Sequence, residues 1–306
     1  MNIKSTKIFE LFKLYKSHKL VFIKPVGNWG DELIFKGAEK LAKLAGITYE
    51  SVYYDQFMKS TYPSDHVLYV YGNGGFNNIW NGEHIREFSK AVSTHSGVVI
   101  LGPTTFAIDH EFLTNTILKI FKDIKSERVY MFARGLISYN ALLNIIPADI
   151  ILDLDHDTAL NLESTDLLAN VKVGKGTLFA IRNDEESIKL EKFKPLLLWF
   201  DPIEFAKSFQ EWLLIHDGAQ EIVTNRLHSA ILGIILGKKV TLLPNCYHKN
   251  HCLWEFSLKD QGVIWEDRLK FEGIYKFLMK NNMYRWAVNS YKLKHFMAGF
   301  YIKSLG

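Results

Sequence analysis

Along the whole chain, short apolar runs end in Gly, Pro, Asn or Asp and give way to stretches of helical spacing. This rhythm constrains the fold more than any other feature. It predicts parallel sheets, because a parallel return needs a crossover and a helix is the usual one. In the first half the strand candidates span residues 20–24, 67–71, 98–101, 129–133 and 150–152. Helices fill the spaces, as with Ile34, Ala38, Leu41, Ala42 and Ala45. A lysine-rich opening carries Ile8, Leu11, Phe12 and Tyr15 at helical spacing. In the second half strands are expected at 177–181, 196–200, 221–224, 239–243 and 262–265, with helices at 203–216 and 229–236.

The 306 residues suffice for two domains, each with its own core. Apolar density drops between residues 161 and 175, which places the boundary near 168. The expected fold class is therefore α/β, with one Rossmann-like domain over 1–168 and a second over 169–306. Two doubly wound domains joined this way face each other across a cleft at the carboxyl ends of their strands, where open α/β sheets bind ligands. Lys and Arg exceed Asp and Glu by 37 − 33 = 4, a surplus that suits anionic small molecules and falls short of a nucleic-acid footprint. Cys246 and Cys252 are too few for a disulfide framework, the opening lacks a leader peptide's apolar stretch, and no run reaches the roughly 18 apolar residues of a membrane span. A cytoplasmic protein is expected.

Two glycine-rich loops follow strands in the first half. In Gly27-Asn28-Trp29-Gly30-Asp31 the glycines allow a sharp turn and close approach to a ligand, and a helix start follows; Asp31 serves equally well as an N-cap. The spacing is neither that of a dinucleotide fingerprint nor that of a P-loop. In Gly72-Asn73-Gly74-Gly75 the density of glycine fits backbone brought up to a ligand, and a tight turn accounts for it as well. More specific is Thr224-Asn225-Arg226-Leu227-His228-Ser229, between an apolar strand and an almost wholly apolar helix. A guanidinium and an imidazole at that junction are costly unless an anion satisfies them. Lys249 follows the next strand, and Arg134 and Arg182 each stand at a strand end. Arginine grips carboxylate or phosphate with two parallel donors, so three arginines and a lysine around one cleft imply a small ligand carrying both groups.

No metal is expected. Asp153, Asp155 and Asp157 alternate, but Thr158 and Ser164 stand where a calcium loop needs Gly and Glu. Cys246, His248, His251 and Cys252 crowd together without zinc spacing. The tail from Arg285 to Lys303 interleaves aromatic and basic residues. As an amphipathic helix it suits peripheral contact with the inner face of a membrane, and packing back on the first domain explains the same pattern.

Together, GNWGDELI, GNGG, FARG, and above all TNRLHSAILGIILGKKVTLLPN followed by YHKN, make the chain resemble the polysaccharide pyruvyl transferase family from about residue 20 to residue 270. It departs from the family pattern at Asn73, Asn225 and Ser229. The resemblance implies a GT-B-like arrangement and transfer of the enolpyruvyl unit of phosphoenolpyruvate onto two hydroxyls of a sugar, as a ketal, in exopolysaccharide or cell-surface glycan biosynthesis. It places the family's arginine and histidine on Arg226 and His228, its strand-end arginine on Arg134 and its loop lysine on Lys249. Donor binding is then expected of Arg134 in the first domain and of Arg182, Arg226 and Lys249 in the second. Acceptor binding is expected of Gly27, Asn28, Gly30, Asp31, Asn73 and Gly74. The acceptor is a sugar or a lipid-linked oligosaccharide, and no cofactor is needed beyond phosphoenolpyruvate as co-substrate.

The chemistry suits the residue types. A cationic His228 or Lys249 protonates the methylene carbon, and neutral His228 or Asp31 takes a hydroxyl proton, imidazole being suited to both directions. Two other readings fit the same residues: a GT-B glycosyltransferase that uses a nucleotide sugar, and a non-catalytic module that binds sugar or anion.

Overall fold

The structure is a computed structural model and describes residues 3–80, 82–187 and 199–267. It divides into two compact units, Met1–Leu162 with Glu255–Ser257, and Glu163–Trp254 with Leu258–Gly306. The chain thus leaves the first unit after Leu162, where the sequence places the boundary near 168. It also returns three residues to that unit, where the His156 ring stacks on Phe256 with centroids 4.7 Å apart.

The first unit is built on six strands: β1 (Lys19–Lys24), β2 (Thr48–Tyr53), β3 (His66–Val70), β4 (Val98–Thr104), β5 (Arg128–Ala133) and β6 (Ile151–Leu154). All pair in parallel, in the order β2-β1-β3-β4-β5-β6. β2 is absent from the sequence expectation because it is an edge strand whose only buried residue is Val52. Side chains alternate across the pleat as period two requires. Leu20, Phe22, Tyr69, Tyr71, Ile100, Tyr130 and Phe132 fill one face, beneath the helices Thr6–Leu14 and Asp31–Ala45. Val21, Ile23, Leu68, Val70, Val99, Leu101 and Met131 fill the other, against Phe88, Ala91 and Val92 of the helix Glu83–Thr94. Apolar residues on both faces make a doubly wound layer structure.

Two contacts close this unit. A Cβ on Gly37, in the middle of the helix Asp31–Ala45, would lie 2.0 Å from the carbonyl oxygen of Thr158, so the helix meets the turn Thr158–Asn161 backbone to backbone. Thr158 Oγ1 donates to the Ile34 carbonyl at 2.9 Å across the same contact. Asn161 then clasps the start of the chain. Its Oδ1 accepts the Lys4 and Ser5 amides at 2.8 and 3.2 Å, while its Nδ2 donates to Ser5 Oγ at 2.8 Å.

Among its described residues the second unit has five strands: β7 (Thr177–Ala180), β8 (Trp199–Phe200), β9 (Glu221–Thr224), β10 (Lys239–Leu242) and β11 (Ile264–Trp265). They are parallel, in the order β11-β10-β9-β7-β8. Counted from its own first strand, this is the order in which the first sheet begins. The helix Leu227–Ile235 packs closely on it, since a Cβ on Gly233 would come within 2.6 Å of Val240 Cγ2. The single helix expected over 203–216 is two helices, Pro202–Phe205 and Phe209–Asp217. Ala206 turns extended, and the Ser208 hydroxyl accepts the Glu211 amide at 3.1 Å, so a new N-cap interrupts the pattern. Of the strand expected at 196–200, residues 196–198 lie outside the described residues, as does the basic tail from Arg285 to Lys303. Among the described residues no helix is long and apolar enough to cross a membrane.

Gly37→Ala offers a direct test of the helix-to-turn contact. Alanine improves helix propensity by ~1 kcal/mol, but a methyl forced against backbone costs about 1–3 kcal/mol and must also displace the Thr158 turn. Net destabilisation is expected in urea unfolding, and a midpoint equal to or above that of the parent protein would contradict the packing described.

Candidate functional site

In a doubly wound sheet, the loops leaving the two strands that flank the reversal of order diverge and open a crevice. In the first sheet those strands are β1 and β3, and the loops after them carry Gly27–Asp31 and Gly72–Gly75. In the second sheet they are β7 and β9, and the loops after them carry Arg182 and Arg226. All the candidate residues but Arg134, which follows β5, therefore belong to two switch points, with Lys249 joining the second from the segment after β10.

In the second unit the loops are tied to each other before any charge is considered. Asn225 Oδ1 accepts the Arg182 amide at 2.8 Å, and Asn250 Nδ2 donates to the carbonyls of Asn225 and Leu243 at 2.8 and 2.9 Å. Onto this frame three carboxylates bring the cations together. Arg182 donates from Nε and Nη2 to the two oxygens of Asp184 at 2.7 and 2.9 Å, and from Nη1 to Glu186. Arg226 donates to Asp201 through Nε at 2.6 Å and through Nη2, and its Nη2 also reaches Asp184 at 2.9 Å. Lys249 Nζ pairs with Glu186. Burial alone would push the Asp184 carboxyl up, but Arg182 and Arg226 outweigh it and hold the group below its ordinary value. Arg226 is likewise held charged, with Asp201 and Asp184 overcoming the cost of burial.

This cluster answers the question raised by buried cations differently from the sequence expectation. Their charge is met inside the protein by Asp184, Glu186 and Asp201, none of which composition or spacing had singled out. The signal was present in part, since Asp184 and Glu186 stand two and four residues after Arg182. Asp201 comes from across the sheet and had no such mark. His228 lies in the first turn of the helix Leu227–Ile235, half-buried. Beside it Ser229, one of the departures from the family pattern, shares a hydrogen bond with His216 Nε2 at 2.9 Å. His216 is fully buried and its imidazole is pushed down to about 4 by that burial, so it stays neutral beneath the helix.

In the first unit much of the glycine density is explained by packing. A Cβ on Gly72 would lie 2.2 Å from the Pro103 carbonyl oxygen, where β4 shifts register, and one on Gly75 would strike His84. Asp31 is not an N-cap, a position that Gly30 takes. From the first turn its Oδ2 accepts the Asn28 amide at 2.9 Å and closes the loop. Asn28 Oδ1 in turn accepts the Gly30 amide at 2.9 Å. Asn73 is the hinge of the second loop: its Oδ1 accepts the Gly75 amide at 2.6 Å, which leaves Nδ2 to donate to the His84 ring, 2.6 Å from Nδ1. His84 and Glu87 are residues the sequence expectation missed. The Glu87 carboxyl is 0% exposed, has no hydrogen-bond partner among the described residues, and lies 3.8 Å from His84 Nδ1. Burial pushes it up to about 9, and burial pushes His84 down, so both are neutral near pH 7.

Arg134 belongs to the first unit, at the end of β5. It is 1% exposed, with Nε donating to Thr105 Oγ1 at 2.8 Å and Nη1 to Asp157 at 2.5 Å. Like Arg182 and Arg226, the guanidinium has its charge met by an internal carboxylate. Asp157 is committed there, Asp153 pairs with Lys7, and Asp155 accepts the Ile8 amide at 2.8 Å. Among the described residues no group of three or more His, Cys, Asp or Glu is arranged to hold a metal. Cys246 is exposed and Cys252 buried, both as free thiols.

A sequence model of the family described as polysaccharide pyruvyl transferase matches residues 28–247. Among solved structures, that of a functionally uncharacterised protein from Klebsiella pneumoniae subsp. pneumoniae is similar, with a TM-score of 0.67 at 23% identity over 88% of this chain and 100% of that one. At that identity the likeness shows the fold alone. No curated protein matches the sequence.

Two measurements test the electrostatics. Glu186→Ala leaves Arg182 and Lys249 buried without their shared carboxylate, and loss of one partner from a buried pair costs about 3–5 kcal/mol. Chemical denaturation should report a loss of that order, and a loss below about 1 kcal/mol would mean the pairing is not formed. Glu87 titrates at about 9 in the fold against 4.5 in a free chain, so between those values the native state retains a proton that the unfolded chain releases. Its contribution therefore falls as pH rises, by up to about 1.4 kcal/mol per unit. Glu87→Gln removes that slope, so the melting temperature of the variant should gain on the parent steadily from pH 5 to pH 9, and a constant difference would contradict the assignment.

Proposed function

The chain belongs to the polysaccharide pyruvyl transferase family and is a transferase, and from that premise we propose that it moves the enolpyruvyl unit of phosphoenolpyruvate onto two hydroxyls of one sugar as a ketal. The acceptor is a unit of an exopolysaccharide or cell-surface glycan, free or lipid-linked. A GT-B-like pairing of the two units is part of this reading, and each sheet by itself has the doubly wound order that such a fold is built from.

The observation that supports it most is the convergence of Arg182, Arg226 and Lys249 beside His228 at the switch point of the second sheet. Phosphoenolpyruvate has a carboxylate and a phosphate, and forked guanidiniums bind both. The two helix starts differ in the same sense. The helix Leu227–Ile235 has no acidic residue in its first turn and favours an anion, whereas Asp31 and Glu32 open the helix Asp31–Ala45 and disfavour one. The donor therefore belongs to the second unit and the uncharged sugar to the first, against Asn28, Asp31 and Asn73.

His228, half-buried at the helix start, is assigned the proton transfers, since Lys249 is engaged with Glu186. Protonated His228 gives its proton to the methylene carbon, which becomes the ketal methyl, and the first hydroxyl bonds to the adjacent carbon. The C–O bond to phosphate then breaks, and the second hydroxyl closes the ketal. One hydroxyl proton returns to His228 and the other leaves with phosphate, so two hydroxyls and phosphoenolpyruvate yield one ketal and inorganic phosphate. Arg182 and Arg226 meet the charge on the donor's carboxylate and departing phosphate.

Purified protein mixed with phosphoenolpyruvate and a panel of sugar acceptors should release phosphate and add a pyruvate unit to the acceptor mass. His228→Gln should lower that rate by about 10²–10⁴-fold while phosphoenolpyruvate binding changes little. Absence of turnover with every acceptor, together with no phosphoenolpyruvate binding by the parent protein, would overturn the proposal.

A further inference from the structure

The three carboxylates of the second-unit cluster are not equivalent. Asp201 has a structural duty of its own: its oxygens accept the Ile203 and Asn183 amides at 3.2 Å each, capping the helix Pro202–Phe205, and its side chain is 1% exposed. Glu186 is held between Arg182, Lys249 and Asn245, with its side chain 2% exposed. Asp184 differs on both counts. Its side chain is 28% exposed, and among the described residues the backbone group that its carboxylate accepts from is a local one, the Glu186 amide at 3.1 Å. Each arginine thus has a deep, fixed carboxylate of its own, and the two share a shallow one.

The geometry of that shared carboxylate is that of a ligand. Both Asp184 oxygens lie in the fork of Arg182 at 2.7 and 2.9 Å, and Arg226 adds a third donor at 2.9 Å. A planar oxyanion gripped by one guanidinium and bridged to a second is how arginine pairs recognise carboxylate and phosphate. Charge leads to the same conclusion. Arg182, Arg226 and Lys249 carry three positive charges against the three negative charges of Asp184, Glu186 and Asp201, so the closed cluster offers an anion no net attraction. Moving Asp184 aside restores a surplus of one and frees three donors. Moving either of the others would strip a buried cation of its fixed partner.

We propose that Asp184 is a place-holding carboxylate, which the oxyanion of an incoming ligand replaces on Arg182 and Arg226. It acts as a specificity-determining residue: a ligand gains entry only if its own group satisfies both guanidiniums at least as well as Asp184 does, so a weakly gripping anion is rejected. The inference rests on the proposed function for the identity of the ligand, and on the cluster's geometry for the rest.

Calorimetric titration of the parent protein and of Asp184→Asn with phosphoenolpyruvate, inorganic phosphate and pyruvate tests it. The asparagine is of equal size and can still accept from one arginine, while the competing charge is gone. The variant should bind phosphoenolpyruvate at least tenfold more tightly than the parent protein. If neither protein binds phosphoenolpyruvate but the variant gains tenfold for phosphate or pyruvate, the place-holder stands and the donor assignment fails. Equal or weaker binding of all three probes by a variant with the parent's circular dichroism and melting temperature overturns the inference. Should the variant fail to fold, a crystal structure of the parent protein soaked with phosphoenolpyruvate decides. A ligand oxyanion on both arginines with Asp184 turned away supports the inference, and Asp184 still bridging them overturns it.

Discussion

A parallel sheet cannot be made of hairpins. Every strand must be followed by a crossover, and all carboxyl ends then open on one edge. That single constraint organises both units of this protein. Once the second strand of each unit is laid on one side of the first and the third on the other, the loops leaving the first and third strands have to part, and a crevice exists before any functional residue is chosen. The first crevice is bordered by two loops whose glycines relieve backbone crowding, the second by two arginines. The polarity of the helix that starts at each crevice then separates an anion-favouring place from an anion-disfavouring one.

Within the second crevice, low dielectric sets the terms. An isolated guanidinium among strand ends would be too costly, so the cations appear with carboxylates that answer them. Such a cluster is held together by its own neutrality, which makes it rigid and, toward a further charge, indifferent. Buried Glu87 in the first unit meets the same cost by the other route. Burial there outweighs the pull of Arg86, and the carboxyl keeps its proton.

The strands were legible because period and punctuation are local properties. Apolar runs ending in Gly, Asn or Asp mark the ends of β1, β3, β5 and β9 whatever lies beside them. β2 was illegible because an edge strand buries little, and Val52 alone makes no pattern. The break between Phe205 and Phe209 depends on one serine hydroxyl, a capping bond that periodicity overrides on paper. At the candidate site, residue types at strand ends single out Arg182, Arg226, His228 and Lys249 as candidates. They do not single out the partners, because Asp201 reaches Arg226 only through the adjacency of β8 and β7, and that pairing is a fact of three dimensions. For the same reason the glycine run alone leaves a ligand-facing loop and a tight turn equally open, because neither Pro103 beside Gly72 nor His84 beside Gly75 is visible in it.

The clasp made by Asn161 has a consequence for how the chain comes into being. Its oxygen takes up the amide of Lys4, 157 residues earlier. A ribosome releases those two residues far apart in time, so the opening helix emerges first and has nothing to complete its docking until the turn at Thr158–Asn161 follows. The first unit thus closes late and from its own far end. Its amphipathic first helix already has its apolar partners in β1, β3 and the helix Asp31–Ala45, so what waits for the far end of the unit is the leading edge of that helix, the amides of Lys4 and Ser5.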